Sequence, residues 1–344
     1  MNKYIIQQTI SIRESLVALN QISSDTQSLL VVDEEQKLVG TLTDGDIRRG
    51  FISGAELSDI VASVMHTDFK YILDSNHDVT RIKELRDKKI FFIPVLDENY
   101  HIVEVLNLKK LKSYLPVDAV LMAGGKGERL RPLTEKTPKP LVKVGDKCII
   151  DYNIDNLIEF GVKHLNVTTN YLAEQLEEHF AAPRNGIQVH TFREPKFLGT
   201  IGSIKFVDTF HNDYILIMNS DLFTNIDFED FFLHFREHDA EMSVVAVPYN
   251  VSIPLGILDL DGRNIKGIFE KPKYNYYANA GIYLIKKSAL DEIPEDTFFN
   301  ATDLIEKLIA QGKSVIRYPL NGMWIDIGTP QEYEMAKELV KHLK

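Results

Sequence analysis

Apolar and polar positions alternate along this chain in two different rhythms, and the change falls near residue 110. Residues 25 to 47 run from an apolar strand, Ser28-Leu-Leu-Val-Val32, through Asp33-Glu34-Glu35 into a second strand and a helix that begins near Asp46 and Ile47. About sixty residues later, Phe91 to Asn107 repeats this grammar of strand, turn, strand and helix, which implies two copies of one small unit. Lys109-Lys-Leu-Lys-Ser-Tyr-Leu-Pro-Val117 ends a helix and turns at Pro116 into the apolar strand Asp118 to Met122, placing a domain boundary between Leu108 and Asp118. Beyond it, strand-like and helix-like stretches alternate: Leu165 to Thr169, Leu172 to Phe180, Val189 to Phe192, Gly202 to Phe210, Tyr214 to Met218. Alternation of that kind predicts an α/β domain whose mostly parallel sheet is covered by helices. Ala301 to Ala310 carries apolar residues at helical spacing with Asp303 as a first-turn acid, and a final helix, Gln331 to Leu343, has a polar-rich face that suits the surface.

Composition narrows the partners. The 344 residues are enough for two domains with cores of their own. The formal net charge is −11, of which residues 1 to 115 contribute −3, and this argues against nucleic acid and anionic membranes. The single cysteine, Cys148, permits no internal disulfide, no apolar run resembles a signal peptide or a membrane span, and a cytoplasmic setting is expected. The histidines His164, His179, His190, His211, His234 and His238 show no metal-ligand spacing, so solvent-facing or core roles are expected of them.

The strand Asp118 to Met122 runs into Ala-Gly-Gly-Lys-Gly-Glu-Arg-Leu-Arg-Pro-Leu-Thr-Glu-Lys-Thr-Pro-Lys-Pro-Leu141. Gly124, Gly125 and Gly127 allow a tight turn and close backbone approach, so that successive N–H groups can form an anion nest. Lys126, Arg129, Arg131 and Lys139 add full charges, with Lys139 stiffened between Pro138 and Pro140. The Walker pattern fails because Gly127 follows Lys126, and the dinucleotide fingerprint fails because Leu130 stands where its third glycine belongs. What the stretch resembles is the signature of the sugar-nucleotide pyrophosphorylases, Gly-x-Gly-x-Arg-Leu-x-Pro-Leu-Thr with a downstream Pro-Lys-Pro. Many of those relatives carry Thr or Ser where this chain has Glu128, which is read here as facing outward.

The resemblance extends over roughly residues 117 to 344. It implies a Rossmann-like nucleotidyltransferase domain at 116–344, with Ala123, Gly124, Gly125, Lys126 and Gly127 against the nucleotide. Tyr214-Ile-Leu-Ile-Met218 leads into Asn219-Ser220-Asp221, a carboxylate at the end of a parallel strand where such sheets bind ligands. The family holds Mg²⁺ with that Asp and with a second carboxylate in a segment resembling Trp324-Ile-Asp-Ile-Gly-Thr-Pro330, here Asp326. Phe192-Arg-Glu-Pro-Lys-Phe-Leu-Gly-Thr200 resembles the base-reading loop, giving Glu194, Gly199 and Thr200. Phe269-Glu-Lys-Pro272 and Asn279-Ala-Gly-Ile-Tyr283 resemble the sugar-phosphate segments, giving Glu270, Lys271, Asn279 and Gly281.

The first 115 residues resemble a tandem pair of CBS domains, 1–60 and 61–115, often called a Bateman module. Gly40, Thr43 and Asp46 match the ribose-binding element Gly-x-x-Thr-x-x-Asp, and the second repeat has Glu104, Asn107 and Lys110 instead. A purine nucleotide effector on the first half and a purely structural or dimerising pair are equally open.

The resemblance implies transfer of a nucleoside monophosphate from a triphosphate to a sugar 1-phosphate. Arg129, Lys139 and Asp221 are the expected catalytic residues, Mg²⁺ on Asp221 and Asp326 is the expected cofactor, and a homo-oligomer is expected. Glu194 favours GTP, because a carboxylate accepts the adjacent N–H donors of guanine together. UTP, CTP or dTTP with another hexose 1-phosphate stays open, as does a sensor without turnover. CBS pairs fused ahead of this domain resemble guanylyltransferases that use glucosamine 1-phosphate in nonulosonic acid pathways.

Overall fold

Residues 2–75 and 78–341 are described by a computed structural model, in which the chain divides into two compact units, residues 1–115 and 116–344. The first unit opens with β1 (Ile5–Gln7), α1 (Ile12–Ile22), β2 (Ser28–Val32), β3 (Leu38–Thr43) and α2 (Asp44–Ile52). It continues with β4 (Ile72–Leu73), α3 (Val79–Asp87), β5 (Phe92–Leu96) and β6 (Ile102–Asn107). Two three-stranded sheets result, β1-β2-β3 and β4-β5-β6, each with its first pair parallel and its second antiparallel.

The repeat is carried down to the turn chemistry. Asp33 Oδ1 accepts from the N–H groups of Glu35 and Lys37, and Asp97 Oδ1 accepts from those of Asn99 and His101. Gln36 and Tyr100 take the same left-handed conformation, at φ 65° and 68°. A register shift follows in each hairpin, at Val31/Val32 and at Val95/Leu96. The halves differ after their last strand. Thr43 and Asp46 form a capping box that starts α2. The helix expected after Asn107 is absent: the amides of Lys110 and Leu111 close a turn on the Asn107 carbonyl, and Lys110 reaches instead to Asp25 at 2.6 Å.

The second unit begins with β7 (Val117–Ala123), β8 (Lys143–Val144), β9 (Lys147–Cys148), α4 (Ile149–Glu159), β10 (His164–Thr169), α5 (Ala173–His179) and β11 (Val189–Arg193). Then come β12 (Tyr214–Asn219), β13 (Leu222–Thr224), α6 (Phe228–Glu237), β14 (Met242–Ser252), β15 (Ile257–Asp261), β16 (Asn264–Phe269) and β17 (Lys273–Lys286). It ends with α7 (Ala301–Ala310), β18 (Val315–Pro319), β19 (Trp324–Asp326) and α8 (Pro330–Lys341). The main sheet has the order β11-β10-β7-β12-β17-β14-β18, and only β17 runs against the rest. The chain steps outward from β7 to β10 and β11, then returns to lay β12 on the other side of β7. The carboxyl ends of β7 and β12 therefore flank a topological switch point, where open α/β sheets bind ligands.

Burial follows the pattern read from the sequence. Ile215, Leu216, Ile217 and Met218 are fully buried, as are Val120 and Ile285 on flanking strands. Leu304 and Leu308 of α7 pack on this face, and Asn300 with Asp303 forms the capping box that starts the helix. Two segments depart from expectation. Gly202 to Phe210 gives only a short 3₁₀ turn, Gly202–Phe206, because the amides of His211 and Asn212 are tied to the buried carboxylate of Asp118. The final helix does not merely lie on the surface. Ala336 and Val340 pack against Val144, Ile149, Phe223 and Ile325, while its expected end at Leu343 lies outside the described residues. No helix among the described residues is long and apolar enough to cross a membrane.

Candidate active site

The carboxyl ends of β7, β10, β11 and β12 converge on a cleft of about 420 Å³. Its walls include Ala123, Gly124, Gly125, Gly127 and Arg129 from the glycine turn, Lys139, Glu194, Gly199 and Thr200 from later loops, and Asp221. Of the three turn glycines only Gly127 has a positive φ, 61°, and its carbonyl accepts from the amide of Leu130 and the hydroxyl of Thr134, which closes the turn. Gly124 serves close approach: a Cβ there would collide with Glu194 Oε1. Lys126 is exposed and does not line the cleft, so the structure leaves out one cation the sequence placed there. Glu128 lines the cleft with its side chain largely in solvent, 3.8 Å from Arg131.

Two aspartates distant in sequence meet here. The short strands β13 and β19 pair antiparallel with Leu222 opposite Asp326, and the amide of Ile327 donates to the Asp221 carbonyl. The buried amide of Asn153 on α4 donates to the carbonyls of Ser220 and Leu222, and the Ser220 hydroxyl donates to Met122 on β7. Asp221 is thus held by three elements. Asp221 Oδ1 and Asp326 Oδ1 are buried without hydrogen-bond partners, a costly state unless another group completes them. Burial, then the neighbouring Asp221 carboxylate, pushes the Asp326 carboxyl above its ordinary range. A pair of hard oxygen donors with open valences fits a divalent cation, and Asp221 with Asp326 could hold one.

Lys139 is only 8% exposed. Its ammonium pairs with Asp221 and lies 3.6 Å from Asp326 Oδ1. A lysine expected on phosphates is therefore bound to the acidic pair, a relation across 82 residues that no local motif shows. Arg129 rests on Gly328, where a Cβ would come within 2.8 Å of Nη2.

Glu194 is 3% exposed and its Oε2 accepts from the amide of Leu198 at 3.0 Å. Burial raises its carboxyl to about 7. The loop that follows is fastened to the start of α7. Gly199 has φ 81° and would touch the Phe299 carbonyl at 2.6 Å if it bore a Cβ; the amide of Thr200 donates to Asn300, and its hydroxyl accepts from the Ala301 amide.

A second cavity of about 290 Å³ adjoins the first through the shared residues Thr200 and Asn219. Asn279, Gly281, Tyr283, Trp324 and Asp326 line it. Gly281, at φ 71°, leaves room for the Asn219 amide, which would sit 2.5 Å from a Cβ. Asn279 donates to Tyr283 at 2.9 Å and accepts from the Gly281 amide, so its amide shapes the wall. Glu270 and Lys271 are exposed and line neither cavity; they follow β16 and lead into β17, and Glu270 Oε2 sits beside Gly256.

Residues the sequence reading passed over include Asn219, Asn300 and Gly328. Asn219 and Gly328 stood inside motifs already singled out, two residues from each aspartate, whereas Asn300 carried only a helix-cap signal. His179 also comes together with Cys148 and Asp151, against expectation. Asp151 there is already engaged, by His179 at 2.8 Å, Arg184 at 2.7 Å and the Cys148 amide, and the group reads as a polar clamp between α4 and α5.

In the first unit Thr43 and Asp46 engage each other as the helix cap, and Asp46 also pairs with Arg49. Gly40 packs against Met65 and the His66 carbonyl, 2.8 and 3.1 Å from where a Cβ would be.

Known proteins resemble this chain over its second unit. A Sulfolobus acidocaldarius protein assigned as a mannose-1-phosphate guanyltransferase is 30% identical over 221 residues, 63% of this chain and 61% of its own. A glucose-1-phosphate adenylyltransferase of Fervidobacterium nodosum is 32% identical over 256 residues, 65% of this chain and 61% of its own. The chain spans about three fifths of the length of these curated relatives. HddC from Yersinia pseudotuberculosis shares the fold with a TM-score of 0.51 at 24% identity, covering 65% of this chain and 99% of that one. Residues 3–53 match the CBS domain model. With the glycine turn, the paired aspartates and the adjoining cavities all inside residues 118–342, which match the nucleotidyl transferase model, the chain belongs to the nucleotidyl transferase family.

Proposed function

We propose that the chain transfers a nucleoside monophosphate, from GTP, to a sugar 1-phosphate and releases pyrophosphate. The observation that carries this reading is the pair of adjoining cavities with Asp221, Asp326 and Lys139 beside their junction. The larger cavity takes the triphosphate against the glycine turn and Arg129. The smaller takes the sugar 1-phosphate. A phosphate oxygen of the sugar 1-phosphate bonds to the α-phosphorus, the bond from that phosphorus to the β-phosphate oxygen breaks, and its electron pair leaves with pyrophosphate. No general base is required, because the attacking phosphate is already ionised.

The chain's own residues supply positioning and charge. Arg129 and the turn amides hold the phosphates, and Asn219, shared by both cavities, touches both substrates. Asp221 and Asp326 would hold Mg²⁺, which when bound would offset charge developing on the phosphate oxygens. Glu194 supports guanine, since it lines the larger cavity at the end of β11 and a carboxylate can receive two adjacent base donors. The guanyltransferase name of one relative points the same way. Glucosamine 1-phosphate is the acceptor we favour.

The test is pyrophosphate release with Mg²⁺ across the five common nucleoside triphosphates and a set of hexose and hexosamine 1-phosphates. Release with GTP and an amino sugar phosphate supports the reading; release only with UTP, CTP or dTTP transfers it to another member of the same class. A folded protein silent with every pair would point to a sensor. For the first unit, residues 1–115, we infer a CBS pair that receives a purine nucleotide at Thr43 and Asp46.

A further inference from the structure

The strands β14 and β17 are longer than the sheet they belong to. β18 accompanies β14 only over Met242–Ala246, and β12 accompanies β17 only over Ile282–Lys286. From Val247 to Ser252 and Lys273 to Ala278 the two strands pair with each other alone among the described residues, and the β15–β16 hairpin follows as a separate two-stranded sheet. Beyond the buried Val247, residues 248–277 thus form an arm that the core of the second unit does not cover.

Its surface is not that of a solvated ribbon. Leu258 pairs with Ile268 and Leu260 with Ile265, so four branched aliphatic side chains share one face of the hairpin, at 47, 62, 58 and 63% exposure. In the ribbon below, Tyr249 faces Tyr276 and Val251 faces Tyr274, which gathers three exposed tyrosines on one face. An antiparallel sheet normally turns its apolar face to a core, and a lone two-stranded hairpin is marginal in water. This arm has apolar faces without such a core.

We propose that the arm is the surface through which two copies of this chain associate, arm against arm about a twofold axis. Charge favours a second copy. The chain carries −11 overall, so copies repel over most of their surface, but the arm holds Arg263, Lys266, Lys271 and Lys273 against Asp259, Asp261 and Glu270. It is a nearly neutral patch on an acidic protein, and its weak positive balance gives an anionic membrane little to grip. Area agrees as well. At about 100 Å² of exposed surface apiece, the four aliphatics of the hairpin offer roughly 400 Å² and the three tyrosines of the ribbon about 300 Å², so both faces must engage to approach the ~800 Å² a side of a stable interface. β15 and β16 also keep outer edges unpaired among the described residues, which a symmetry-related strand can extend.

The chain's thiol, Cys148, is buried, so a nitroxide can be directed to an Ile268→Cys chain and the coupling between copies measured by pulsed dipolar spectroscopy. The proposal expects a short inter-copy distance that disappears when Leu260→Lys is added, with the Trp324 emission of the full chain unchanged as proof of folding. This reading does not depend on whether the first unit also joins copies. Absence of dipolar coupling, coupling that survives Leu260→Lys, or uptake of a monomer onto anionic vesicles through the arm would each overturn it.

Discussion

Replacing Glu194 by Gln keeps the shape of the side chain and the acceptor for the Leu198 amide while removing the charge. The native carboxyl has an ordinary value of 4.5 and is pushed to about 7 by burial. Between those values the folded chain holds a proton that the unfolded chain has lost, so stability falls as pH rises from 4.5 to 7, and the full penalty is present above 7. At 1.36 kcal/mol per unit the penalty is about 3 kcal/mol. Glu194→Gln is therefore expected to stabilise the second unit by up to ~3 kcal/mol at pH 8 and to change it little below pH 4.5. The chain has one tryptophan, Trp324, whose indole N–H donates to the Ala280 carbonyl, so urea unfolding followed by its fluorescence reports on this unit alone. A ΔΔG that does not vary between pH 5 and pH 8 would refute the argument. Guanine binding gives a second reading. Pairing with base donors requires the ionised carboxylate, so wild-type GTP affinity should weaken about tenfold per pH unit below 7, while the Gln variant binds more weakly and without that dependence.

Arg129→Ala should lower kcat for pyrophosphate release by about 10²- to 10³-fold, as expected for a lost donor to developing charge, with little change in urea midpoint. Gly328→Ala crowds the exposed guanidinium of Arg129 and not the core, so turnover should fall while stability stays within about 0.5 kcal/mol; an unfolded variant would contradict this placement. Chelation of divalent ions should abolish pyrophosphate release, and Mg²⁺ should restore it in the wild type but not in Asp326→Asn. In the first unit Asp46→Asn keeps an acceptor for the α2 cap whereas Asp46→Ala forfeits about 1 kcal/mol; loss of purine nucleotide binding in both, measured calorimetrically on the full chain, supports the ribose assignment, and retention in the Asn variant removes it.

What could be read from sequence was what short-range chemistry decides. Strand β12, helix α7 with its Asp303 cap and the turn at Gly127 follow from spacing and residue type within a few positions. The duplicated turn at Asp33 and Asp97 was legible because the same donors and acceptor recur around each aspartate. Relations across the fold were not. Asp221 and Asp326 meet through β13 and β19, strands of three residues with no periodicity to declare them. The burial of Glu194 depends on Gly124 lacking a side chain, and the partner of Lys139 depends on that same meeting of strands. The helix expected after Asn107 failed because Lys110, where the first repeat has Asp46, offers no acceptor to cap it and turns to Asp25 instead.

The seam between β13 and β19 also sets a timetable for synthesis. Asp221 is fixed by neighbours that precede it or follow closely, through Asn153, Met122 and Leu222. Its companion arrives only when the ribosome has reached residue 326, after the whole main sheet has been translated, and α8 must then pack behind it to keep the seam closed. Until that moment a nascent chain possesses the glycine turn and one carboxylate but not the pair. On the proposed reading, the cleft therefore lacks its acidic pair until β19 has been made and has paired with β13.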